Sequence, residues 1–373
     1  KYNFIPAPLT IFKNIFKINQ GSYIEFDLNE KININPNLQK KWFDPLDLID
    51  LDYQKELSTM NEGALINTCE KLINESVNSR LISDVPIGVF LSGGIDSSII
   101  AYFANKNSDK TLKTYSVIFD EKNYNEGIIS KKTSQYLNSN HQEFKFDSNV
   151  FFDVIKKLTD IYDEPFSDIS QLPTSYLSYM VSKNVKVALS GDGGDEFFGG
   201  YEKYLWDKSI WKKLSWIKFE KRVVLGNFLK KNIIENNLMN KLFNKKFITN
   251  LTQISKRLIS VQNNYDLYDS LISNLFYENP LNSNFKAVEN IYEQIDNSKL
   301  NNLDQFEKMM FYDILFTFSN GILCKLDRAA MHYSLETRLP FLNKNLNKFS
   351  LNLPANYKIN NFETKYILKK ILF

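Results

Sequence analysis

Two glycine-rich segments of this sequence carry the side chains best suited to chemistry. The first has the sequence SGGIDSS, from Ser92 to Ser98, and lies between two apolar runs. This order is typical of a turn that joins a buried strand to a helix. Gly93 and Gly94 let backbone N–H groups converge on an anion, and serine hydroxyls add further donors. We therefore predict a phosphate site here, although the spacing and the lysine of the Walker loop are absent.

Asp96 is unexpected inside a phosphate-binding segment, because a carboxylate repels a phosphate. A Mg²⁺ ion that binds both would remove this conflict, since Mg²⁺ prefers one or two carboxylates together with phosphate oxygens. The alternative interpretation is that Asp96, Ser97 and Ser98 only cap the helix that follows.

The second glycine-rich segment has the sequence LSGDGGDEFFGGY and covers residues 189–201. It also follows an apolar run, and it combines five glycines with three acidic residues. Asp192, Asp195 and Glu196 would repel one another unless they share a cation. We predict that Asp195 is the second Mg²⁺ ligand. The alternative is a solvated acidic loop, which would not need so many glycines.

A third segment, CKLDRAAMHYSLETRLPFLN at residues 324–343, places charged side chains within an apolar stretch that we predict to be helical. These side chains are Lys325, Asp327, Arg328, Glu336 and Arg338. Charges at this density in an apolar context are usually paired. An internal network of salt bridges is therefore the alternative to a binding role, above all for Glu336 and Arg338. Arg328 is the better candidate for a contact to phosphate or to an acceptor.

Strands and helices alternate in the region that must position the two glycine-rich segments. The predicted strands lie at 85–91, 114–119, 141–146 and 185–190, and the predicted helices at 97–105, 126–137, 149–161 and 171–183. Apolar, β-branched strands separated by helices predict a parallel sheet that is covered on both faces. Both glycine-rich segments follow such strands, at the edge where α/β proteins bind ligands.

The remaining chain gives weaker signals. Residues 1–50 are predicted to form short β-like pieces, and residues 53–81 a single helix. Residues 201–373 are predicted to be mostly helical, and residues 208–302 carry no chemical motif.

Composition excludes several classes of function. The chain has 373 residues and a net charge of +3, from 46 basic and 43 acidic residues, so we expect no binding to nucleic acid. Two cysteines form no disulfide framework, and no apolar run reaches the length of a membrane span. We expect a soluble cytoplasmic protein that does not enter a membrane. A serine hydrolase is disfavoured, because no G-x-S-x-G occurs and His141 and His332 are the only histidines.

The three segments, taken in order, resemble the synthetase part of glutamine-dependent asparagine synthetases. The resemblance covers residues 53–207 and 304–373. It implies an α/β fold, with a parallel sheet flanked by helices as in ATP pyrophosphatases (adenine-nucleotide α-hydrolase-like), and a mostly helical C-terminal part. Residues 1–30 resemble the end of the family's glutaminase domain. We therefore expect residues 1–50 to be the end of that domain and a linker, and residues 51–373 to be a synthetase domain truncated at its C-terminus.

The resemblance implies roles for particular residues, and it agrees with the metal ligands inferred above. Residues that match the ATP and pyrophosphate site are Leu91, Ser92, Gly93, Gly94, Asp96, Ser97, Ser98, Val117, Ser190 and Gly191. Asp96 and Asp195 match the Mg²⁺ ligands. The catalytic candidates are Lys365, which matches an essential lysine, together with Asp192 and Arg328. A solvated helix lysine is the alternative for Lys365, as we expect for Lys369.

The implied reaction uses ATP and Mg²⁺ to adenylate a carboxylate, and ammonia then displaces AMP. Aspartate is the first acceptor to consider, which would make the chain the synthetase part of a glutamine-hydrolysing asparagine synthase. The alternative is an amidotransferase that acts on the carboxylate of a sugar acid in surface-polysaccharide biosynthesis. The implied partners are a glutaminase domain of the same polypeptide, as the source of ammonia, and a small carboxylate acceptor; a homodimer is left open. A nucleotide-binding module without catalysis is a further alternative, and it would release no pyrophosphate.

Four departures from the family pattern bear on the nucleotide and the acceptor. Ile118 replaces a common glycine after the second strand, Gln142 replaces a histidine, and Asn343 replaces an aspartate. The segment 163–178, DEPFSDISQLPTSYLS, differs from the asparagine-forming branch, and it is more similar to branches of surface-polysaccharide pathways.

Overall fold

The computed structural model describes residues 2–27, 29, 38–119, 126–206, 211, 216–234, 243–273, 300 and 303–373. The chain divides into two compact units. The first, which we call the helical unit, contains Lys1–Tyr2 and Glu202–Met309. The second, the sheet unit, contains Asn3–Tyr201 and Met310–Phe373. All three segments singled out from the sequence lie in the sheet unit.

The strands of the described chain all lie in the sheet unit. They are β1 Ser22–Tyr23, β2 Lys40–Lys41, β3 Ile87–Phe90, β4 Lys113–Ile118, β5 Asn140–Lys145, β6 Val187–Leu189 and β7 Glu336–Arg338. β1 and β2 form a short antiparallel ribbon. The other strands form one parallel sheet in the order β5-β4-β3-β6-β7.

The strand order reverses between β3 and β6. From β3 the chain adds β4 and then β5 on one side, and it then returns to place β6 on the other side of β3. Val89 pairs with Thr114 on one side and with Leu189 on the other. Open parallel sheets bind ligands at such a reversal, beyond the carboxyl ends of the two strands.

Helices account for most of the remaining described chain. They are α1 Leu51–Thr59, α2 Glu62–Arg80, α3 Ile95–Lys106, α4 Gly127–Tyr136, α5 Ser148–Ile155, α6 Leu158–Tyr162, α7 Gln171–Ser182, α8 Gly194–Phe198, α9 Lys203–Trp206, α10 Phe219–Leu229, α11 Lys245–Ser260, α12 Asn264–Ile272, α13 Gln305–Tyr312, α14 Cys324–Met331, α15 Lys344–Asn352, α16 Ala355–Lys358 and α17 Tyr366–Leu372. Short 3₁₀ turns cover Pro45–Leu48 and Pro340–Leu342, and π-helical segments cover Lys230–Ile234 and Asp313–Leu323.

Apolar side chains cover both faces of the central strand. Val89 and Phe90 are consecutive in β3 and both are buried, so they point to opposite faces of the sheet. On the Phe90 face, one core cluster joins the sheet to α7 through Val181 and to α14 through Leu326 and Ala330. The predicted α/β fold, with a parallel sheet between helices, is confirmed.

In the helical unit, α10 and α11 pack against each other. The hydroxyl of Ser255 donates to the carbonyl of Gly226 at 2.9 Å, and the Arg222 guanidinium donates to the carbonyl of Val261 at 3.0 Å. Much of the segment 208–302 lies outside the described residues, including 274–299.

Two sequence predictions about the elements are wrong. Residues 53–81 do not form one helix, because the chain breaks at Met60 and the side chain of Asn61 caps the start of α2 by accepting from Ala64 N. Residues 324–343 are not one helical stretch either. Their second half contains β7, which pairs with β6 and places Glu336 and Arg338 on a strand.

In the described part of the chain, no helix combines the length and the apolar character needed to cross a membrane.

Candidate active site

The two glycine-rich segments follow the neighbouring strands β3 and β6, on either side of the strand-order reversal. We call residues 91–98 the first loop and residues 190–200 the second loop. Because the two strands are parallel, both loops leave the same edge of the sheet. The expectation from the sequence that both segments lie at one edge of the sheet is therefore confirmed, and the structure adds that they are neighbours there.

The first loop is held by its own serine hydroxyls. The Ser97 hydroxyl donates to the carbonyl of Gly94 at 3.1 Å, and the Ser92 and Ser97 hydroxyl oxygens lie 3.0 Å apart. Because Ser97 uses its proton on Gly94, Ser92 is the donor in the second contact. Ser92 Oγ in turn accepts from Gly94 N at 3.2 Å. These bonds fix the loop before any ligand arrives.

The start of α3 leaves backbone donors for an anion. The helix begins at Ile95 without a side-chain cap, so no side chain satisfies its first N–H groups. Gly93 has a φ of +85°, and a Cβ added there would lie 2.9 Å from the backbone nitrogen of Ser130. A glycine is therefore required at this position. An uncapped helix start of this kind favours a phosphate.

The first loop rests on a buried network. Leu91 is 1% exposed, its N–H donates to Tyr115 O at 2.8 Å, and its carbonyl accepts from the Ser116 hydroxyl at 2.8 Å. His141 contacts the same hydroxyl through Nε2 at 3.1 Å. Burial lowers the pKa of His141, so this ring is neutral and serves as a hydrogen-bonding group. Val117, the other residue predicted to line the nucleotide pocket, is half-buried in β4.

Lys365 joins the two predicted Mg²⁺ ligands. Its Nζ lies 2.5 Å from Asp96 Oδ2 and 2.7 Å from Asp195 Oδ1. The side chains of Lys365 and Asp96 are each 12% exposed, and that of Asp195 is 36% exposed. We call these three residues the acid–lysine cluster. The solvated position that was the alternative for Lys365 is therefore wrong.

Burial and charge change the pKa values of this cluster. Burial raises the pKa of Asp96 to about 7, although Lys365 opposes this shift; Asp195 and Asp192 add to it. For Lys365, burial lowers the pKa, but the two carboxylates outweigh burial and leave the pKa above its usual value. The ammonium of Lys365 therefore stays charged, and Asp96 takes up a proton more readily than an ordinary carboxyl.

Two glycines of the second loop make room for the cluster. A Cβ added at Gly194 would lie 2.6 Å from Asp96 Oδ1, and one added at Gly200 would lie 2.8 Å from Asp195 Cγ. Both distances are shorter than any normal contact, so larger residues would displace the carboxylates. The glycines that the sequence shows between the acids are thus explained by close approach, and not by turn geometry alone.

A tight turn presents Lys365. Asn360 and Glu363 exchange two backbone hydrogen bonds, at 3.0 and 2.7 Å, across Asn361 and Phe362. Lys365 itself precedes α17 with a φ of +53° and a ψ of +37°. This left-handed conformation costs a residue with a Cβ about 1–2 kcal/mol. Strained backbone at a charged, buried side chain is typical of functional residues.

The second loop also holds Asp192, a catalytic candidate. The Ser190 hydroxyl donates to Asp192 Oδ2 at 2.5 Å, and Ser190 N donates to the carbonyl of Arg338 in β7 at 3.0 Å. An added Cβ at Gly191 would lie 2.8 Å from Ser97 N, so the two loops touch at this point. The strand β7, which the sequence did not reveal, thus helps to position the second loop.

Glu196 is not part of the acidic group that faces a ligand. It is 1% exposed and accepts from the Tyr201 hydroxyl at 2.5 Å. Burial raises the pKa of Glu196 to about 8. Glu196 is therefore a buried, largely protonated carboxyl. It does not share a cation with Asp192 and Asp195, as the sequence had led us to expect.

The third segment contains ion pairs. Arg338 contacts Glu336 at 2.6 Å and donates to the carbonyls of Arg80 and Ile82 at 2.8 and 2.7 Å, so it fastens the end of α2 to the sheet. These contacts form the internal network that was the alternative interpretation of Glu336 and Arg338 in the sequence. Arg328 pairs with Asp163. Its role toward phosphate or acceptor stays a prediction, because within the described chain its charged partner is Asp163 and not a member of the acid–lysine cluster.

Lys325, on α14, holds the start of α7. Its Nζ donates to the Ser170 hydroxyl at 2.6 Å and lies 3.4 Å from Asp168 Oδ2. Next to this contact, the side chain of Gln171 is buried and its Oε1 has no hydrogen-bond partner. The sequence gave no signal for Gln171 beyond its place in the segment 163–178.

The residues present fit a magnesium–nucleotide complex. Asp96 Oδ1 is buried and has no hydrogen-bond partner, and two carboxylates share the single cation of Lys365. Across the described ranges, no group of three His, Cys, Asp or Glu side chains could hold a metal. Two carboxylates that need phosphate oxygens to complete the coordination shell are what Mg²⁺ bound with a nucleotide requires.

Comparison with known proteins places these features in a family. The family model described as asparagine synthase matches residues 68–372. Asparagine synthetase 1 of Bacillus subtilis, named glutamine-hydrolysing, is 29% identical over 374 residues, which are 99% of this chain and 54% of that protein. A Methanocaldococcus jannaschii protein, provisionally named glutamine-hydrolysing asparagine synthetase 2, is 38% identical over 203 residues, 54% of this chain and 37% of that protein.

Relatives with other names exist as well. A protein of Gibberella zeae named amidase chry2 is 27% identical over 224 residues, which are 56% of this chain and 32% of that protein. The chain spans about half or less of the length of these curated relatives. Because the family model covers most of the chain, and the two loops and Lys365 lie within it, the chain belongs to the asparagine synthase family.

Proposed function

We propose that this chain activates a carboxylate with ATP and transfers it to ammonia, forming an amide, AMP and pyrophosphate. The observation that carries the proposal is the acid–lysine cluster at the ends of two adjacent parallel strands. Family membership supports the same chemistry. The names of the relatives describe the activity of those proteins. The proposal applies the whole reaction to this chain.

The reaction has two balanced steps. In the first, a carboxylate oxygen of the acceptor attacks the α-phosphorus of ATP, the bond between the α- and β-phosphates breaks, and pyrophosphate leaves. In the second, the lone pair of ammonia attacks the acyl carbon, the bond to AMP breaks, and the nitrogen loses a proton to give the amide.

The first loop would bind the pyrophosphate part of ATP through uncapped helix N–H groups and the hydroxyl of Ser98, and through the hydroxyls of Ser92 and Ser97 once these turn from their contacts within the loop to the phosphate. Asp96 and Asp195 would hold Mg²⁺, which neutralises phosphate charge when it is bound. Leu91 and Val117 would lie near the adenine, and Ser190 and Gly191 near the α-phosphate.

Lys365 would stabilise the negative charge that grows on the phosphates during adenylation. It lies within 2.7 Å of both acids, so it needs only a side-chain movement to contact a phosphate held there. Asp192, fixed by Ser190, would orient the incoming groups beside the α-phosphate. Arg328 would contact the acceptor or a phosphate if its pair with Asp163 opens.

The acceptor defines two versions of the proposal. Aspartate follows from the names of the relatives, and a sugar acid is the alternative. In either version the ammonia would come from a glutaminase domain of the same polypeptide, of which residues 1–50 would be the end. The division at residue 50, the cytoplasmic location and a homodimer remain predictions.

Pyrophosphate release tests the proposal. We expect release that requires ATP, Mg²⁺, an acceptor acid and this chain together, with amide formed only when ammonium is added. The Asp96→Asn variant should release little pyrophosphate, whereas Lys370→Met, at an exposed position of α17, should behave as wild type. A nucleotide-binding module without catalysis would release no pyrophosphate with any acceptor, and that result would refute the proposal.

A further inference from the structure

A cavity of about 280 Å³ lies beside the start of α7. Its lining includes Tyr162, Asp163, Glu164, Phe166 and Gln171. These residues belong to the end of α6, the start of α7 and the segment between them. The volume is just below the range of about 300–1,000 Å³ that is usual for drug-sized ligands, so the cavity suits one small ring.

The cavity lies toward the edge of the sheet that carries the two loops. The helix α7 precedes β6, and a helix that leads into a parallel strand runs antiparallel to it. The start of α7 therefore lies toward the edge where β6 ends in Ser190. The same argument places the start of α14 at this edge, and Lys325 of α14 does contact Ser170 just before α7.

One polar group in the cavity has no hydrogen-bond partner among the described residues. Gln171 is 9% exposed, and its Oε1 accepts no hydrogen bond. A buried amide oxygen without a donor lowers the stability of a folded protein unless something else binds it. If the two ends of the amide were exchanged, the unpartnered atom would be a nitrogen that needs an acceptor. A hydroxyl satisfies either orientation, because it both donates and accepts.

The charged groups that line the cavity are already paired. Asp163 pairs with Arg328 and Glu164 with Lys17. Both charged lining residues are acidic, and no cationic side chain lines the cavity. A ligand carboxylate would therefore find no positive lining residue to pair with. The free α-carboxylate of aspartate suits this cavity poorly, whereas an uncharged group suits it well.

Two of the lining residues are aromatic. Tyr162 and Phe166 stack with ring centroids 4.8 Å apart and an interplanar angle of 9°. The Tyr162 hydroxyl already donates to the carbonyl of Lys325 at 3.3 Å. An apolar surface beside a single amide is suited to a ring that has an apolar face and hydroxyls at its edge.

On these grounds, and resting on the amidation proposed above, we infer that the cavity binds the uncharged, hydroxylated ring of the acceptor. The acceptor class is then a sugar acid, whose carboxylate reaches the two loops while a ring hydroxyl bonds to Gln171. Gln171 is a specificity-determining residue in this assignment, and it does not touch the reacting atoms.

Binding of D-glucuronate and D-galacturonate to the full chain tests this inference, with L-aspartate as the comparison. Saturation-transfer NMR and calorimetry measure binding without turnover. The variant Gln171→Leu removes the amide at similar volume, and Gln135→Leu makes the same change at an exposed position of α4. We expect at least one uronate to bind wild type and Gln135→Leu alike, and Gln171→Leu at least tenfold more weakly. The melting temperature of Gln171→Leu should equal or exceed that of wild type, because the residue has no partner to lose.

Two results would overturn the inference. One is the absence of uronate binding to wild type, and the other is equal uronate binding by wild type and Gln171→Leu. Pyrophosphate release separates this failure from a failure of the proposed function. Release with aspartate but without uronate binding leaves the amidation standing and refutes the sugar acid. Uronate binding that depends on Gln171, without release under any condition, supports the cavity and refutes the amidation.

Discussion

Replacing Lys365 with methionine should both inactivate and destabilise the protein. Methionine keeps the length of the side chain but removes the only cation that contacts Asp96 and Asp195 in the described structure. The two carboxylates would then face each other beside Gly194 and Gly200, in a space that leaves them little room to separate. From the sequence alone, Lys365 is expected to act only in catalysis. The structure indicates that its charge also stabilises the folded protein, by compensating the two carboxylates.

The size of the effect follows from burial. Removing one partner of a fully buried charge pair costs about 3–5 kcal/mol. Asp96 and Lys365 are each 12% exposed, but Asp195 is 36% exposed, so solvent screens part of the repulsion. We therefore expect a loss of about 2–3 kcal/mol, which for a protein of this size corresponds to a decrease in melting temperature of about 3–5 °C.

This loss depends on pH and on Mg²⁺. Burial raises the pKa of Asp96 to about 7, so Asp96 is ionised above this pH and takes up a proton below it. The destabilisation of Lys365→Met should thus be larger at high pH and smaller at low pH. Mg²⁺ should raise the melting temperature of the variant more than that of wild type, because the carboxylates have lost their internal cation.

Thermal melts with and without Mg²⁺ measure these effects on stability. Pyrophosphate release by Lys365→Met should fall about a hundredfold or more. The matched control is Lys369→Met, whose lysine pairs with Glu363 at 3.0 Å and should change stability by less than about 1 kcal/mol. Adding Asp195→Asn to Lys365→Met should recover part of the lost stability. Equal melting temperatures and equal Mg²⁺ responses in the two lysine variants would refute the reasoning.

The remaining predictions concern the metal ligands, a buried acid and the nitrogen donor. Asp96→Asn and Asp195→Asn should each lower Mg²⁺-dependent pyrophosphate release about a hundredfold while melts show an intact fold; near-normal release would exclude these residues as ligands. Burial raises the pKa of Glu196 from 4.5 to about 8, so the folded state binds the extra proton and stability falls as pH rises through this window. Glu196→Gln should remove a slope of up to about 1.4 kcal/mol per pH unit, and urea titrations at several pH values that show parallel curves would contradict this. Burial raises the pKa values of the Cys69 and Cys324 thiols, so this chain should use ammonium and release no glutamate from glutamine in an amino-acid assay.

The parallel sheet was predictable because its inner strands are continuous apolar runs. β3 and β6 are buried along most of their length, and this pattern is visible without any tertiary information. β7 was missed because its three residues are polar and exposed or half-buried at the sheet edge. Such a short strand has no periodicity that separates it from the end of the preceding helix.

The site was predictable to the extent that topology determines it. Residues that follow parallel strands lie at one edge of the sheet, so Asp96 and Asp195 could be placed at the same edge from the sequence, but the neighbouring positions of β3 and β6 are seen only in the structure. The contact of Lys365 with Asp96 spans 269 residues, and no local pattern encodes it. Gln171 was beyond prediction for another reason, because a missing hydrogen bond is a property of the packed structure and not of a residue type.

The charges of the acid–lysine cluster explain why a metal and a nucleotide would have to bind together. Two carboxylates and one ammonium leave one negative charge in a largely buried place. A triphosphate alone would add further negative charge against Asp96, whereas a bare cation would compete with Lys365 for the same oxygens. A magnesium–nucleotide complex would satisfy both sides, because Asp96 and Asp195 could bind the metal while the Lys365 ammonium pairs with phosphate oxygens. In the proposed reaction, the lysine that holds the acids together without a ligand would then stabilise the negative charge that grows on the phosphates.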